Sequence, residues 1–147
     1  MADVTAESLK ANISTAFESY MSELRQSGPH WDRKPAANSE GEDAWCARQV
    51  AEHIAGAGPF FGVAIAKGAG LAEPAMAAVH LPSFEDAVPV TENGHAALMG
   101  VVSQLTDEQL AIGFNSPQFG DQTIGGVGGI VVYHLNDHAR QLKTLRD

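Results

Sequence analysis

The sequence predicts an all-α protein, a four-helix bundle with long connections. Three observations predict it. Four stretches place apolar residues every three or four positions, the period of one helix face. The only β-like runs, FFGVAIA and GGIVVY, each continue into a helical period, so no credible strand pair remains. Aromatic residues make up 7% of the chain while Ala and Gly are common, which favours closely packed helices over a β-sandwich. At 147 residues the chain has the length of one domain with a real core, and residues 1–147 are read as that domain.

The elements follow in order. Residues 5–26 carry Leu9, Ile13, Phe17, Tyr20 and Leu24 on one stripe and predict the first helix. SGPHWDRKPAANSEGED is rich in Gly, Pro, Ser and Asn and reads as a loop. A second helix begins near Trp45 and carries Val50, His53, Ile54, Ala57, Phe61 and Ala64, with Pro59 as a candidate kink. KGAGLAEPAMAAVHLPSFEDAVP is a long connection. A third helix is expected over about 91–105, with Leu98, Val101, Val102 and Leu105 on one face. TDEQL adds a turn capped by Thr106. GFNSPQFGD is read as a loop. The last helix is expected over about 122–146, with Val127, Ile130, Val131, His134, His138, Leu142 and Leu145 on its stripe.

Composition narrows the function classes. The formal charge is −9 and no basic stripe or cluster occurs, which argues against nucleic acid and anionic lipid as partners. No apolar run approaches the ~20 residues of a membrane helix. MADVTAESLK lacks a secretory signal, and the single cysteine, Cys46, forms no internal disulfide. A cytoplasmic protein is the expectation.

Chemistry concentrates in three histidines. His134 and His138 are four apart, about 40° around a helix axis, and both lie on the apolar stripe of the last helix. His53 lies on the apolar stripe of the second. A buried neutral imidazole needs a partner for each ring nitrogen. Three on facing helices can share a metal and leave a coordination position open, as catalytic sites do. Imidazole suits Zn, Ni, Cu and Fe alike, so spacing does not choose the metal. The alternative is that all three are core histidines bonded to backbone carbonyls.

WCARQVAEHI resembles the second-helix motif of the DinB-like (YfiT-like) superfamily. In that motif a His followed by an apolar residue comes eight positions after a Trp. Trp45, Cys46, His53 and Ile54 fill those places. FGDQTIGGVGGIVVYHLNDHARQLKTLR resembles the family's last helix, with its HxxxH, and LTDEQL precedes it in family style. The resemblance implies a bundle in up-down-down-up order and a divalent metal, most often nickel or zinc, on His53, His134 and His138. It implies a thiol-dependent S-transferase or isomerase as one activity, with a low-molecular-weight thiol as co-substrate, while a metal-activated water at the same site would make a hydrolase the alternative. It also implies a homodimer. Cys46 departs from the usual Ser or Thr cap, and its thiol is too far from His53 to be a ligand.

Other residues are read beside these. Gln49 and Gln141 each lie one turn from a proposed ligand and are pocket candidates for a small-molecule ligand, although a rim amide is the simpler reading. Glu52 and Asp137 point about 100° from the ligands beside them and read as surface residues. His30, His80 and His95 read as surface histidines. Trp31 either covers the bundle mouth or packs there. Gly125 and Gly129 either allow a close helix crossing or belong to the lead-in of a helix that starts after Gly126. GGVGGI lacks the Lys and Ser/Thr of a phosphate loop. Three functions stay open: a metal-dependent enzyme acting at a thiol or thioether, a non-catalytic metal- or ligand-binding stress-response protein, and an apo helical dimer with structural histidines.

Overall fold

Helix α1, Ala6–Arg25, is the first element of the computed structural model, which describes residues 4–35 and 39–147. Residues 1–3 of the N-terminal reading and 36–38 of the first loop lie outside it. Thr5 starts α1 with a reciprocal cap. Its hydroxyl accepts the Ser8 N–H at 3.0 Å, and Ser8 Oγ accepts the Thr5 N–H at 3.0 Å. The stripe from Leu9 to Leu24 is buried.

Helix α2, Ala47–Ala69, opens at the buried Cys46 and closes on Gly70, whose φ of +70° is left-handed. Pro59 lies inside α2 without ending it. Helix α3, Ala87–Val102, starts earlier than the apolar period suggests. Its first turn contains Pro89, which punctuates the sequence like a loop residue. Proline's fixed φ nonetheless suits a first helical turn, where its missing N–H costs nothing. The short turn Glu108–Ala111 has Asp107, not the expected Thr106, at its N-cap, although Thr106 Oγ1 accepts the Gln109 N–H at 3.4 Å.

One expectation fails here. GFNSPQFGD is not a loop, because strands β1, Gly113–Ser116, and β2, Gly120–Thr123, form an antiparallel hairpin. Phe114 pairs with Gln122 and Asn115 with Asp121. Three residues turn the chain, and Gly120 follows at φ +72°. Helix α4, Ile124–Arg146, then starts at Thr123, whose hydroxyl accepts the Gly126 N–H at 2.9 Å. The glycines therefore belong to the helix and are not its lead-in.

Side-chain pairings set the helix directions. Leu9 packs on Gly128 and Glu23 pairs with Arg146, so α1 and α4 run parallel. Gly58 meets Gly94 and Gly62 meets Leu98, so α2 and α3 run parallel. His53 meets His138 while Phe61 meets His134, so α2 and α4 are antiparallel. The order is up-down-down-up. A parallel α2–α3 pair requires the chain to return along the bundle, and residues 70–86 make that return. Trp31 is buried and donates its indole N–H to the Leu81 carbonyl at 3.2 Å, so it fastens the returning segment.

Close approach is made by glycines other than Gly125 and Gly129. A Cβ on Gly94 would lie 2.3 Å from the Ala55 carbonyl oxygen, and one on Gly58 would lie 2.4 Å from that of Gly94. A Cβ on Gly129 would meet nothing within 4 Å, and one on Gly125 would touch only Leu110. The crossing that needs glycine is therefore α2 on α3. Among the described residues no helix is long and apolar enough to cross a membrane.

Candidate metal centre

Helix α2 presents His53, and α4 presents His134 and His138 from successive turns of one face. Their directions converge. One ring nitrogen from each lies within 4.8 Å of the others. His53 Nε2 and His134 Nε2 are 2.8 Å apart. The three ring centroids stand 4.6 to 5.1 Å from one another. Trp45 closes one side, its ring 5.1 Å from that of His53 and 6.3 Å from that of His138. Phe61 covers His134 at 5.5 Å. His138 is 1% exposed.

The surroundings keep two of these rings neutral. Burial pushes His134 down to about 4, helped by the neighbouring His138 and His53. Burial also lowers His53, with His138 acting in the same direction and Glu42 partly opposing. A neutral imidazole offers the lone pair that a metal takes.

Gln141 is more than a rim amide. Its Oε1 lies 2.8 Å from His138 Nδ1, and its Nε2 donates to the Glu42 carbonyl at 2.6 Å. It therefore orients His138 and ties the turn Gly41–Ala44 to α4. Gln49 does not reach the triad. Its Oε1 accepts the Cys46 N–H at 3.0 Å and Lys34 Nζ at 3.3 Å, so it serves the start of α2. Glu52 accepts the Leu81 N–H at 2.7 Å and Arg48 at 3.1 Å and stands 3.2 Å from His80 Nδ1, and Asp137 pairs with Arg140. Both face away from the site, as their positions predict.

Two histidines read as surface residues are not. His30 is 8% exposed. His95 stacks on Phe17 with centroids 3.6 Å apart, and burial takes it down to about 4. It shares a small apolar cavity of about 20 Å³ with Thr91, Leu98 and His134. His95 is in phase with Leu98 and Val102, so the apolar period continued backward would have found it. His80 is exposed, as expected.

Glu42 was not among the sequence candidates. Its Oε1 stands 3.7 Å from His138 Nε2. It sits in a turn with no period to reveal it. Glu42 and Gln141 also line an open cleft of about 810 Å³ whose other charged residues include Arg33, Lys34, Asp137 and Arg140.

The sequence matches the DinB superfamily over residues 8–142. No curated protein matches it significantly. Among solved structures, the four-helix bundle protein TT2238 is 23% identical with a TM-score of 0.69, covering 95% of this chain and 99% of that one. The colibactin self-resistance protein ClbS, solved in complex with double-stranded DNA, is 10% identical with a TM-score of 0.69, covering 99% of this chain and 97% of that one. At these identities the likeness is one of fold. The ClbS complex corrects an expectation. A net charge of −9 argues against nucleic acid, yet a bundle of this fold is in complex with DNA. Net charge is a sum over the whole surface, and local fields decide what docks.

Proposed function

The chain belongs to the DinB superfamily, and from that premise we propose that it holds a divalent transition metal, nickel or zinc, on His53, His134 and His138. We read it as a metal-dependent S-transferase or hydrolase working with a low-molecular-weight thiol. One observation carries this reading: three imidazole nitrogens gathered within 4.8 Å. The residues fit such an ion. Ligand atoms about 2.0–2.1 Å from one ion stand ~3–3.5 Å apart. His53 Nε2 and His134 Nε2, at 2.8 Å, lie just inside that spacing, and the three nitrogens, within 4.8 Å of one another, reach it by small side-chain rotations.

A bound divalent cation would supply Lewis acidity, bringing a water toward a pKa of ~7 or holding a thiol as thiolate. The chain's own residues do the rest. Gln141 fixes the ring of His138. Trp45 and Phe61 exclude water from two sides and so strengthen charge interactions at the triad. The adjoining cleft, with Arg33, Lys34 and Arg140 set among carboxylates, receives the charged part of a substrate.

Elemental analysis tests the reading on protein purified without chelator or histidine tag. Wild type should carry about one transition metal per chain, and His134→Ala should carry none. Absence of metal from wild type, even after incubation with Zn²⁺ or Ni²⁺, removes it. A labelled DNA duplex titrated at low salt and followed by anisotropy reads whether the partner class of ClbS extends to this chain.

A further inference from the structure

The amide of Gln141 decides which nitrogen of His138 carries a proton. The Glu42 main-chain oxygen can only accept, so the Gln141 nitrogen 2.6 Å from it is the donor. Gln141 Oε1 therefore accepts, and the hydrogen it receives at 2.8 Å sits on His138 Nδ1. In the neutral ring, His138 Nε2 then carries a lone pair. That lone pair faces Glu42 Oε1 at 3.7 Å. Two acceptors facing each other with no donor between them repel. A cation between them attracts both.

Glu42 is available for that role. Among the described residues no lysine or arginine pairs with it, whereas Glu52 and Asp137 are engaged elsewhere. The main chain of Glu42 is held by the same amide that orients His138, while its carboxylate is 56% exposed and free to rotate. Three neutral imidazoles offset none of a divalent ion's charge, and a carboxylate offsets one unit of it in a site walled by aromatic rings.

We propose that Glu42 is a fourth protein ligand of the cation held by His53, His134 and His138, delivered by the Gly41–Ala44 turn that Gln141 ties to α4. This rests on the metal reading above. Ligand atoms on one ion lie ~3–3.5 Å apart. The carboxylate must therefore close by a few tenths of an ångström on His138, and by more on the other two rings, which a side-chain rotation provides. The site then becomes three imidazoles and one carboxylate, and metal loading orders the turn at the mouth of the cleft.

The test compares wild type, Glu42→Gln and Asp43→Asn for Zn²⁺ affinity, by competition with a chromophoric chelator, and for the visible spectrum of the Co²⁺ form. Asp43→Asn makes the same charge change on the same exposed turn. Glu42→Gln should weaken Zn²⁺ binding by at least about tenfold, the lower end of what losing a ligand's outer-shell partner costs. It should also change the position or intensity of the Co²⁺ bands, with Asp43→Asn altering neither. An unchanged Co²⁺ spectrum in Glu42→Gln overturns the proposal, whatever the affinity, because ligation is then intact without the carboxylate. An equal loss of affinity in Asp43→Asn also overturns it, because the effect is then long-range charge. Wild type that binds neither ion removes the metal reading, and this inference with it. Tight wild-type binding with an unchanged Glu42→Gln spectrum removes this inference alone.

Discussion

Gln141 makes two hydrogen bonds that no other described residue can replace, one to His138 Nδ1 and one to the Glu42 carbonyl. Replacing it with leucine leaves the α4 backbone unchanged and frees both partners. Metal affinity should fall about 10- to 100-fold, the range for outer-shell partners of ligating histidines. Isothermal titration with Zn²⁺ checks this, and Gln141→Glu, which keeps an acceptor for His138, should recover part of the loss. Trp45 reports on the same site. Its ring lies 5.1 Å from that of His53, so Ni²⁺ or Co²⁺ should quench its fluorescence, and Trp45→Phe should remove most of the quenching while Trp31, which makes no ring contact with the three histidines, still emits. The three histidines were legible because each falls on an apolar helical period, where a polar residue stands out. Glu42 was not, because a short turn has no period and the carboxylate reaches the site only through the fold. Gln49 and Gln141 look alike in sequence. Only the position of Cys46 and the Gly41–Ala44 turn in space separates a helix cap from an orienting group.

Among the elements, the α2–α3 crossing is the tightest fit. Gly94→Ala places a methyl 2.3 Å from a backbone oxygen that no rotamer can move. Overpacking of this kind costs about 1–3 kcal/mol, more than the ~1 kcal/mol that alanine gains over glycine in a helix. Gly129→Ala meets open space, so only the helix gain remains and the protein should be stabilised by up to about 1 kcal/mol. Urea unfolding midpoints of the two variants should move in opposite directions. The helices were legible because their burial is one-sided and periodic. The hairpin was not, because its pairs, Asn115 with Asp121 and Phe114 with Gln122, show no alternation of apolar and polar faces. What holds it is local and tertiary: the Asn115–Asp121 side-chain bond of 2.7 Å, Phe114 over Gly68, and Phe119 stacked on Phe61. Phe61 in turn covers His134, so the hairpin buttresses the site from behind.

At the scale of the whole molecule, acid should act on the fold and the site together. Four of the six histidines, His30, His53, His95 and His134, are lowered, each first of all by burial. The unfolded chain protonates them near 6.5, whereas His95 and His134 resist until about 4 in the fold. Between those values the unfolded state binds more protons, so unfolding free energy rises with pH across that window. The stability is fully present above pH ~6.5 and is lost as pH falls toward 4. A divalent ion binding the same neutral nitrogens competes with protons, so it should deepen the dependence by adding stability at neutral pH that acid removes. Urea titrations of metal-free protein from pH 8 to 4 should give midpoints that are level above 6.5 and fall below it. His95→Phe keeps the stacked ring on Phe17 and removes a titrating group that shares a small cavity with His134 but is not itself a proposed ligand. Its midpoints should fall less steeply over the same range, while its Zn²⁺-induced shift at pH 7.5 stays as in wild type. Equal slopes in the two proteins would mean that His95 is already protonated in the fold, against its burial beside Phe17 and Leu98.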